Sequence, residues 1–293
     1  MEISSRLRKI GYVIYFTNMI SVQKADGTTE PFDEKKVLAS LRRAGVPKNL
    51  EESALAYVES KLYDGIQTGE LFQHISEFLG KSDHPYTKSK YSLKRAIMML
   101  GPTGYPFEDF IAKVLEVHGY QTSVRQILSG KCVTHEIDIV AKKDGVTAMI
   151  EAKFHNNPGN RSDVHVALYT KARFDDVKIK NAMQEGWLVT NTKATTDAIA
   201  YAKCEALKII SWSYPEGESL RDLVEKYTMH PVTVLTTLST NQKAQLLGHH
   251  IVLCKDICQN KTLLDTLPLS KDERARTLDE IHYICEEEKT QPS

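Results

Sequence analysis

From Ile137 to Phe154 the chain alternates apolar and polar residues on either side of an Asp144-Gly145 turn signal. Period two on both sides of such a dipeptide is the pattern of an antiparallel hairpin. Helical periodicity surrounds it. Phe107, Phe110, Ile111, Val114 and Leu115 mark one helix face upstream. Downstream, a polar loop at 155–163 leads into a helix through Val177, and another helix spans Thr195–Glu205. The runs Trp187–Thr190 and Leu207–Trp212 read as buried strands. Helix, hairpin, helix, strand, helix, strand is the order of an α/β sandwich with a mixed sheet.

Glycine and proline punctuate the 293 residues twice, at Gly101-Pro102-Thr103-Gly104-Tyr105-Pro106 and at Tyr214-Pro215-Glu216-Gly217. The expected division is a tail over 1–18, a first domain over 19–100, a second over 101–214 and a third over 215–293. The first domain opens with two short strands about Asp26-Gly27 and continues as helices Glu34–Ala44, Leu50–Gly65, Thr68–Leu79 and Tyr86–Leu100. The third is helical, over Ser219–Tyr227, Asn241–Leu247, Ile251–Gln259 and Lys271–Glu288. The tail carries Arg6, Arg8 and Lys9 before an apolar patch at Ile10–Ile20, expected to be a ragged end or strand extension. That patch is too short and too polar to span a bilayer, so no membrane partner is expected.

Lys and Arg number 38, as do Asp and Glu, so bulk basicity cannot hold this chain to nucleic acid and any polyanion site must be local. Five scattered cysteines favour reduced thiols and a cytoplasmic location.

Glu136 and Asp138 fall on one face of the first hairpin strand, Glu151 and Lys153 on one face of the second. If Val133–Ala141 pairs with Val146–Phe154, Asp138, Glu151 and Lys153 converge. Glu108, in the first turn of the preceding helix, can reach the same patch. Carboxylates beside a lysine suit metal-assisted phosphodiester hydrolysis, because hard oxygen ligands take Mg²⁺ or Mn²⁺ and the lysine stabilises developing charge. The loop residues His155, Asn156, Asn157, Asn160 and Arg161 are placed to contact phosphates. His165, Tyr169 and Arg173 follow at four-residue spacing on one helix face. On its own, a D…ExK triple is more often a solvated hairpin face.

Gly104-Tyr105-Pro106-Phe107-Glu108, Glu136-Ile137-Asp138 and Glu151-Ala152-Lys153 together resemble the PD-(D/E)xK nuclease superfamily in its Mrr-like restriction endonuclease branch. Val189-Thr190-Asn191-Thr192 and Ile209-Ile210-Ser211-Trp212 extend the similarity over most of 101–214. The resemblance implies Glu108, Asp138 and Glu151 as metal ligands and Lys153 as the catalytic lysine. Thr134-His135-Glu136 departs from the family's glycine-rich approach to the aspartate.

The string Val22-Gln23-Lys24-Ala25-Asp26-Gly27-Thr28-Thr29-Glu30-Pro31-Phe32-Asp33, followed by Lys36, resembles the ATP-cone, a nucleotide-sensing module. By family position Lys24, Glu30, Asp33, Lys36 and His74 match contacts to ATP or dATP, while Ala25 stands where a basic residue often follows the first lysine. No GxxxxGK[ST] occurs, so sensing rather than hydrolysis is expected. Lys81, Lys88, Lys90, Lys94 and Arg95 form a basic stretch, either a solvated face or a phosphate-facing one.

The fold expected is therefore α/β: an N-terminal hairpin-plus-helices ATP-cone, a central PD-(D/E)xK domain with a mixed sheet, and a small helical C-terminal domain. Leu246-Leu247-Gly248-His249-His250-Ile251 weakly resembles a helix-hairpin-helix, with a plain bundle the better reading. Cys254, Cys258, His282 and Cys285 invite a zinc site but lack CxxC spacing, so buried thiols are expected. The leading expectation is a nucleotide-regulated, metal-dependent endonuclease acting on DNA as a homo-oligomer. A sensor that binds nucleic acid without cutting, or an RNA-directed nuclease, stays open.

Overall fold

The structure, a computed structural model, describes residues 20–83 and 86–286. Apart from Ile20, the apolar patch expected to extend a strand falls outside them. Asp26-Gly27 turns the chain between β1 (Ser21–Gln23) and β2 (Thr29–Pro31). Gly27 takes φ 82°, a left-handed conformation that glycine enters without strain. Four helices were expected next. The first two are α1 (Glu34–Arg43), capped by Asp33 through the Lys35 N–H at 2.9 Å, and α2 (Lys48–Glu59). α2 stops well short of Gly65 because Ile66–Gln67 is drawn off as β3, parallel to β1. α3 spans Thr68–Gly80. The expected Tyr86–Leu100 helix breaks at Ser92 into α4 (Thr87–Tyr91) and α5 (Leu93–Met98). Lys90 and Lys94 therefore sit on separate helices rather than sharing one face.

The middle segment is α6 (Tyr105–Val117), β4 (Gln121–Ser129), β5 (Thr134–Lys143), β6 (Val146–Lys153), β7 (Arg161–Ser162), α7 (Val164–Val177), β8 (Glu185–Thr190), β9 (Lys193–Ala194), α8 (Thr196–Cys204) and β10 (Leu207–Ile210). Five strands form one mixed sheet in the order β10-β8-β6-β5-β4, as the alternation requires. β4 to β6 run antiparallel, whereas β6, β8 and β10 are parallel. β4 is the strand the pattern does not announce; it is an edge, half-exposed along most of its length.

The C-terminal helices are α9 (Leu220–Lys226), α10 (Thr240–Gly248), α11 (Cys254–Gln259) and α12 (Lys271–Cys285). Ser219, Ser239 and Ser270 each close a reciprocal capping box, which explains their sharp starts. α11 packs beside α12 and brings Cys258 and Cys285 into a disulfide. That corrects the expectation of reduced thiols throughout and removes two of the candidate zinc ligands. Cys254 stays free and buried, its Sγ 3.6 Å from the Pro231 carbonyl. Gly248 ends α10, and His250 follows at φ 58° with its Nδ1 2.8 Å from Asp109, so this turn folds back onto α6. No helix among the described residues is long and apolar enough to cross a membrane.

The three segments share apolar cores. Leu93, Ile97 and Leu100 pack with Phe107, Phe110, Ile150 and Trp187 of the middle segment and with Leu220 and Val252 beyond it. Ala96, on the other side of α5, joins the C-terminal cluster, where Thr233 donates to its carbonyl at 2.6 Å. Sliding α5 would uncover buried apolar surface on both sides, so it ties the segments mechanically.

Candidate functional site

Gly104, at φ 87°, turns the chain into α6, and Pro106 fits the helix start, where its missing N–H leaves nothing unpaired. This sets Glu108 in the first turn, 8% exposed. The β5–β6 ladder ends at the Ile139–Ile150 pair. Beyond it the strands part, and Asp138 Oδ2 accepts the Ala152 N–H at 2.8 Å in place of a ladder partner. Asp138 and Glu151 thus face the mouth of the fork, half-buried, with Lys153 exposed at the end of β6.

Two arginines complete the charge pattern. The pairs Val124–Ile139 and Gln126–Ile137 leave Arg125 opposite Asp138. Arg125 takes φ 51°, uncommon for a residue with a side chain. Its guanidinium donates to Glu108 at 3.1 Å and Asp109 at 2.7 Å. From α7, Arg173 donates to Glu151 and to the Glu136 carbonyl. Of the helix face carrying His165, Tyr169 and Arg173, only Arg173 turns inward; Tyr169 lies over its guanidinium at 5.4 Å, and His165 is exposed.

Burial, followed by the charge of Asp138, pushes Glu151 up to about 7. Burial also raises Asp138, and burial with Asp138's charge raises Glu108. These groups hold more negative charge than their surroundings accommodate. All are hard oxygen donors, so their chemistry fits a magnesium-class cation. No three His, Cys, Asp or Glu side chains among the described residues stand grouped to hold a metal as placed. Glu108 and Glu151 are each turned onto an arginine instead.

The loop beyond Lys153, expected to contact phosphates, leaves Asn156, Asn157, Asn160 and Arg161 exposed, while its two ends are tied to other elements. His155 Nε2 pairs with the Ser162 hydroxyl at 2.9 Å, which donates to Thr190 Oγ1 at 3.2 Å. Arg161 ion-pairs with Asp26 of the N-terminal hairpin. Lys24 and Glu30 line a cavity of about 580 Å³ between the N-terminal and middle segments. Glu30 is 2.6 Å from Lys24 and 2.8 Å from Lys36. Asp33 is occupied as the α1 cap, and His74 lies off this cavity wall, between Glu70 at 3.6 Å and Glu77 at 4.0 Å.

Three families match the chain in succession: ATP cone domain over 20–98, Restriction endonuclease (the Mrr catalytic type) over 101–224, and AF1548-like, C-terminal over 230–285. An uncharacterized protein of Archaeoglobus fulgidus is 40% identical over 147 residues, which is 50% of this chain and 83% of its own. The crystal structure of AF1548, a protein of unknown function, superposes at TM-score 0.55 with 34% identity, covering 62% of this chain and 98% of that one. The restriction endonuclease MspJI, in complex with a 27-mer oligonucleotide, aligns at TM-score 0.34 and 12% identity, over 71% of this chain and 41% of its own.

Proposed function

The chain belongs to the AF1548-like family, with a restriction-endonuclease domain following an ATP cone, and we propose on that premise that it is a nucleotide-regulated endonuclease hydrolysing DNA phosphodiester bonds with a divalent cation. The observation that supports this most is the fork in the sheet, where Asp138 and Glu151 face Lys153 beside the first turn of α6. Glu108, Asp138 and Glu151 would hold Mg²⁺ or Mn²⁺. Such an ion acidifies a bound water and neutralises charge on the phosphate under attack.

The protein's own residues do the rest. Asp138 is held in position by the Ala152 N–H, so its carboxylate is oriented before substrate arrives. Lys153 places a mobile positive charge at the strand end, suited to stabilising the phosphate oxygens as charge builds. Arg125 and Arg173 neutralise Glu108 and Glu151 in the resting site and would give up those contacts when the carboxylates turn to the ion. On the cone, Lys24 and Lys36 flank Glu30 and would receive the phosphates of ATP or dATP. A duplex break needs two such sites, which pairing of two chains would supply.

The test is a digestion panel of plain DNA, methylated DNA and RNA with Mg²⁺, Mn²⁺ or chelator, each with and without ATP. Cleavage of DNA that stops with chelator and changes with ATP is expected. Folded protein that cuts none of the three with either ion contradicts the proposal.

A further inference from the structure

The cavity between the cone and the restriction-endonuclease domain has walls from both. The cone contributes Lys24, Glu30 and Phe72, with Lys94 and Arg95 from α5, and the nuclease side contributes Arg161 and Lys193. Five cationic side chains thus face two acidic ones, Asp26 and Glu30, and both acids are already engaged. Glu30 is held by Lys24 and Lys36, and Asp26 by Arg161. No carboxylate among the described residues pairs with Lys94, Arg95 or Lys193. Lys94 is instead 5.8 Å from the Trp212 ring centre. Burial, followed by the charge of Lys193, lowers its pKa. Unbalanced positive charge in a concave, partly dry space attracts a multivalent anion.

The two domains are also fitted to each other here. A Cβ on Gly159 would stand 2.4 Å from the Ala25 carbonyl, so the nuclease loop lies against the hairpin backbone with no room for a side chain. Arg161, two residues on, reaches over that contact into the cavity. β7 and β9 pair Arg161 with Lys193, which fixes the two cations side by side at the ends of the loops after β6 and β8. Asn191 binds both the backbone of His155, at 2.8 and 2.9 Å, and Met98 Sδ at 3.1 Å. The cavity wall is thereby joined to the strand end that carries Lys153.

We propose that this cavity is a composite polyphosphate site, in which a nucleoside triphosphate seated on the cone is gripped at its phosphates by Arg161 and Lys193 of the nuclease domain. The proposal rests on the reading of the cone as a nucleotide-binding module and names where that nucleotide touches the nuclease. Arg161 exchanges Asp26 for phosphate, so Asp26 acts as an internal competitor for the same guanidinium. Nucleotide occupancy is then felt by the loop following Lys153 without any nucleotide atom at the cleavage site.

Calorimetry on the full chain with AMP, ADP and ATP tests this. Arg161→Gln and Lys193→Gln each weaken ATP about tenfold, or about 1.4 kcal/mol, while AMP changes less than about twofold. Asp26→Asn tightens ATP by about threefold or more, because the competing anion is gone. Both altered cations are partly or fully exposed, and thermal melts of each variant confirm that it is folded. If Lys24→Ala loses ATP while Arg161→Gln and Lys193→Gln bind it as wild type does, the cone reading stands and the composite site is wrong. Equal weakening of AMP and ATP also overturns it, since that marks a loosened domain contact. If the wild-type chain binds none of the three nucleotides, the cone reading itself fails and the composite site with it.

Discussion

Glu280 of α12 is fully buried, yet its carboxylate has five donors. Thr236 gives its N–H at 2.7 Å and hydroxyl at 2.8 Å; Thr237 gives its N–H at 2.9 Å and hydroxyl at 2.7 Å; Ser89 of α4 gives its hydroxyl. One side chain thus clamps the AF1548-like C-terminal region to the end of the cone. Glu280→Ala leaves two backbone N–H groups and three hydroxyls without acceptors. At about 1 kcal/mol net each, the loss is about 5 kcal/mol. Glu280→Gln keeps one carbonyl oxygen. Its amide, in place of Oε1, would face the Thr236 N–H and the hydroxyls of Thr236 and Ser89. The hydroxyls can turn to accept from it and water can serve the exposed Thr236 N–H, so about 2 kcal/mol is expected. Ser89→Ala removes a single donor and should lose about 1 kcal/mol. For a chain of this size these figures correspond to falls in melting temperature of about 10–20 °C for the alanine variant and about 4–8 °C for the glutamine one. Differential scanning calorimetry provides the comparison. A Glu280→Ala melting point within about 3 °C of wild type refutes the reasoning, since it means the clamp is not formed.

His230 is 5% exposed with its Nδ1 unpartnered, and burial lowers its pKa to about 4. The unfolded chain takes up this proton first, so stability is complete above about pH 6.5 and falls by about 3 kcal/mol by pH 4. His230→Gln should flatten that part of a chemical-denaturation series across pH, and an unchanged slope would count against this origin. The Cys258–Cys285 bridge closes a loop of sequence separation 27, so reduction or Cys258→Ser should lower stability by about 3.5 kcal/mol. A denaturation midpoint indifferent to reductant would show that the bridge does not form in solution.

What the residues disclose follows from how local each cause is. The hairpin is legible because period two assigns faces: once Val146–Lys153 pairs with Thr134–Lys143, Asp138 and Glu151 face the same way, and only the splay beyond Ile150 needs the fold. Glu108 follows from its place in the first turn of a helix with a clear apolar stripe. Arg125 could not be found this way, because its strand lacks alternation and its direction comes from a left-handed backbone that arginine does not advertise. Arg173 lay on a face already picked out by spacing, but spacing cannot say which of His165, Tyr169 and Arg173 turns inward. Only the resemblance to the ATP-cone places His74 with the nucleotide residues; on α3 its ring lies between Glu70 and Glu77, while Phe72 lines the cavity. Arg161 with Asp26 was equally out of reach, because the pairing is made by docking two segments that share no pattern.

The central claim is tested most directly by the rate of DNA cleavage in Mg²⁺ or Mn²⁺ for wild type beside Asp138→Ala, with folding of both checked by their melting curves. Asp138 is half-buried among raised carboxylates, so its removal should leave the chain folded while cleavage falls by about a thousandfold, on the scale of several kcal/mol of lost transition-state stabilisation. Wild-type protein that cuts only with the divalent ion, and a folded Asp138→Ala protein that does not cut, is the predicted result. Folded Asp138→Ala protein that cuts at the wild-type rate would contradict the account.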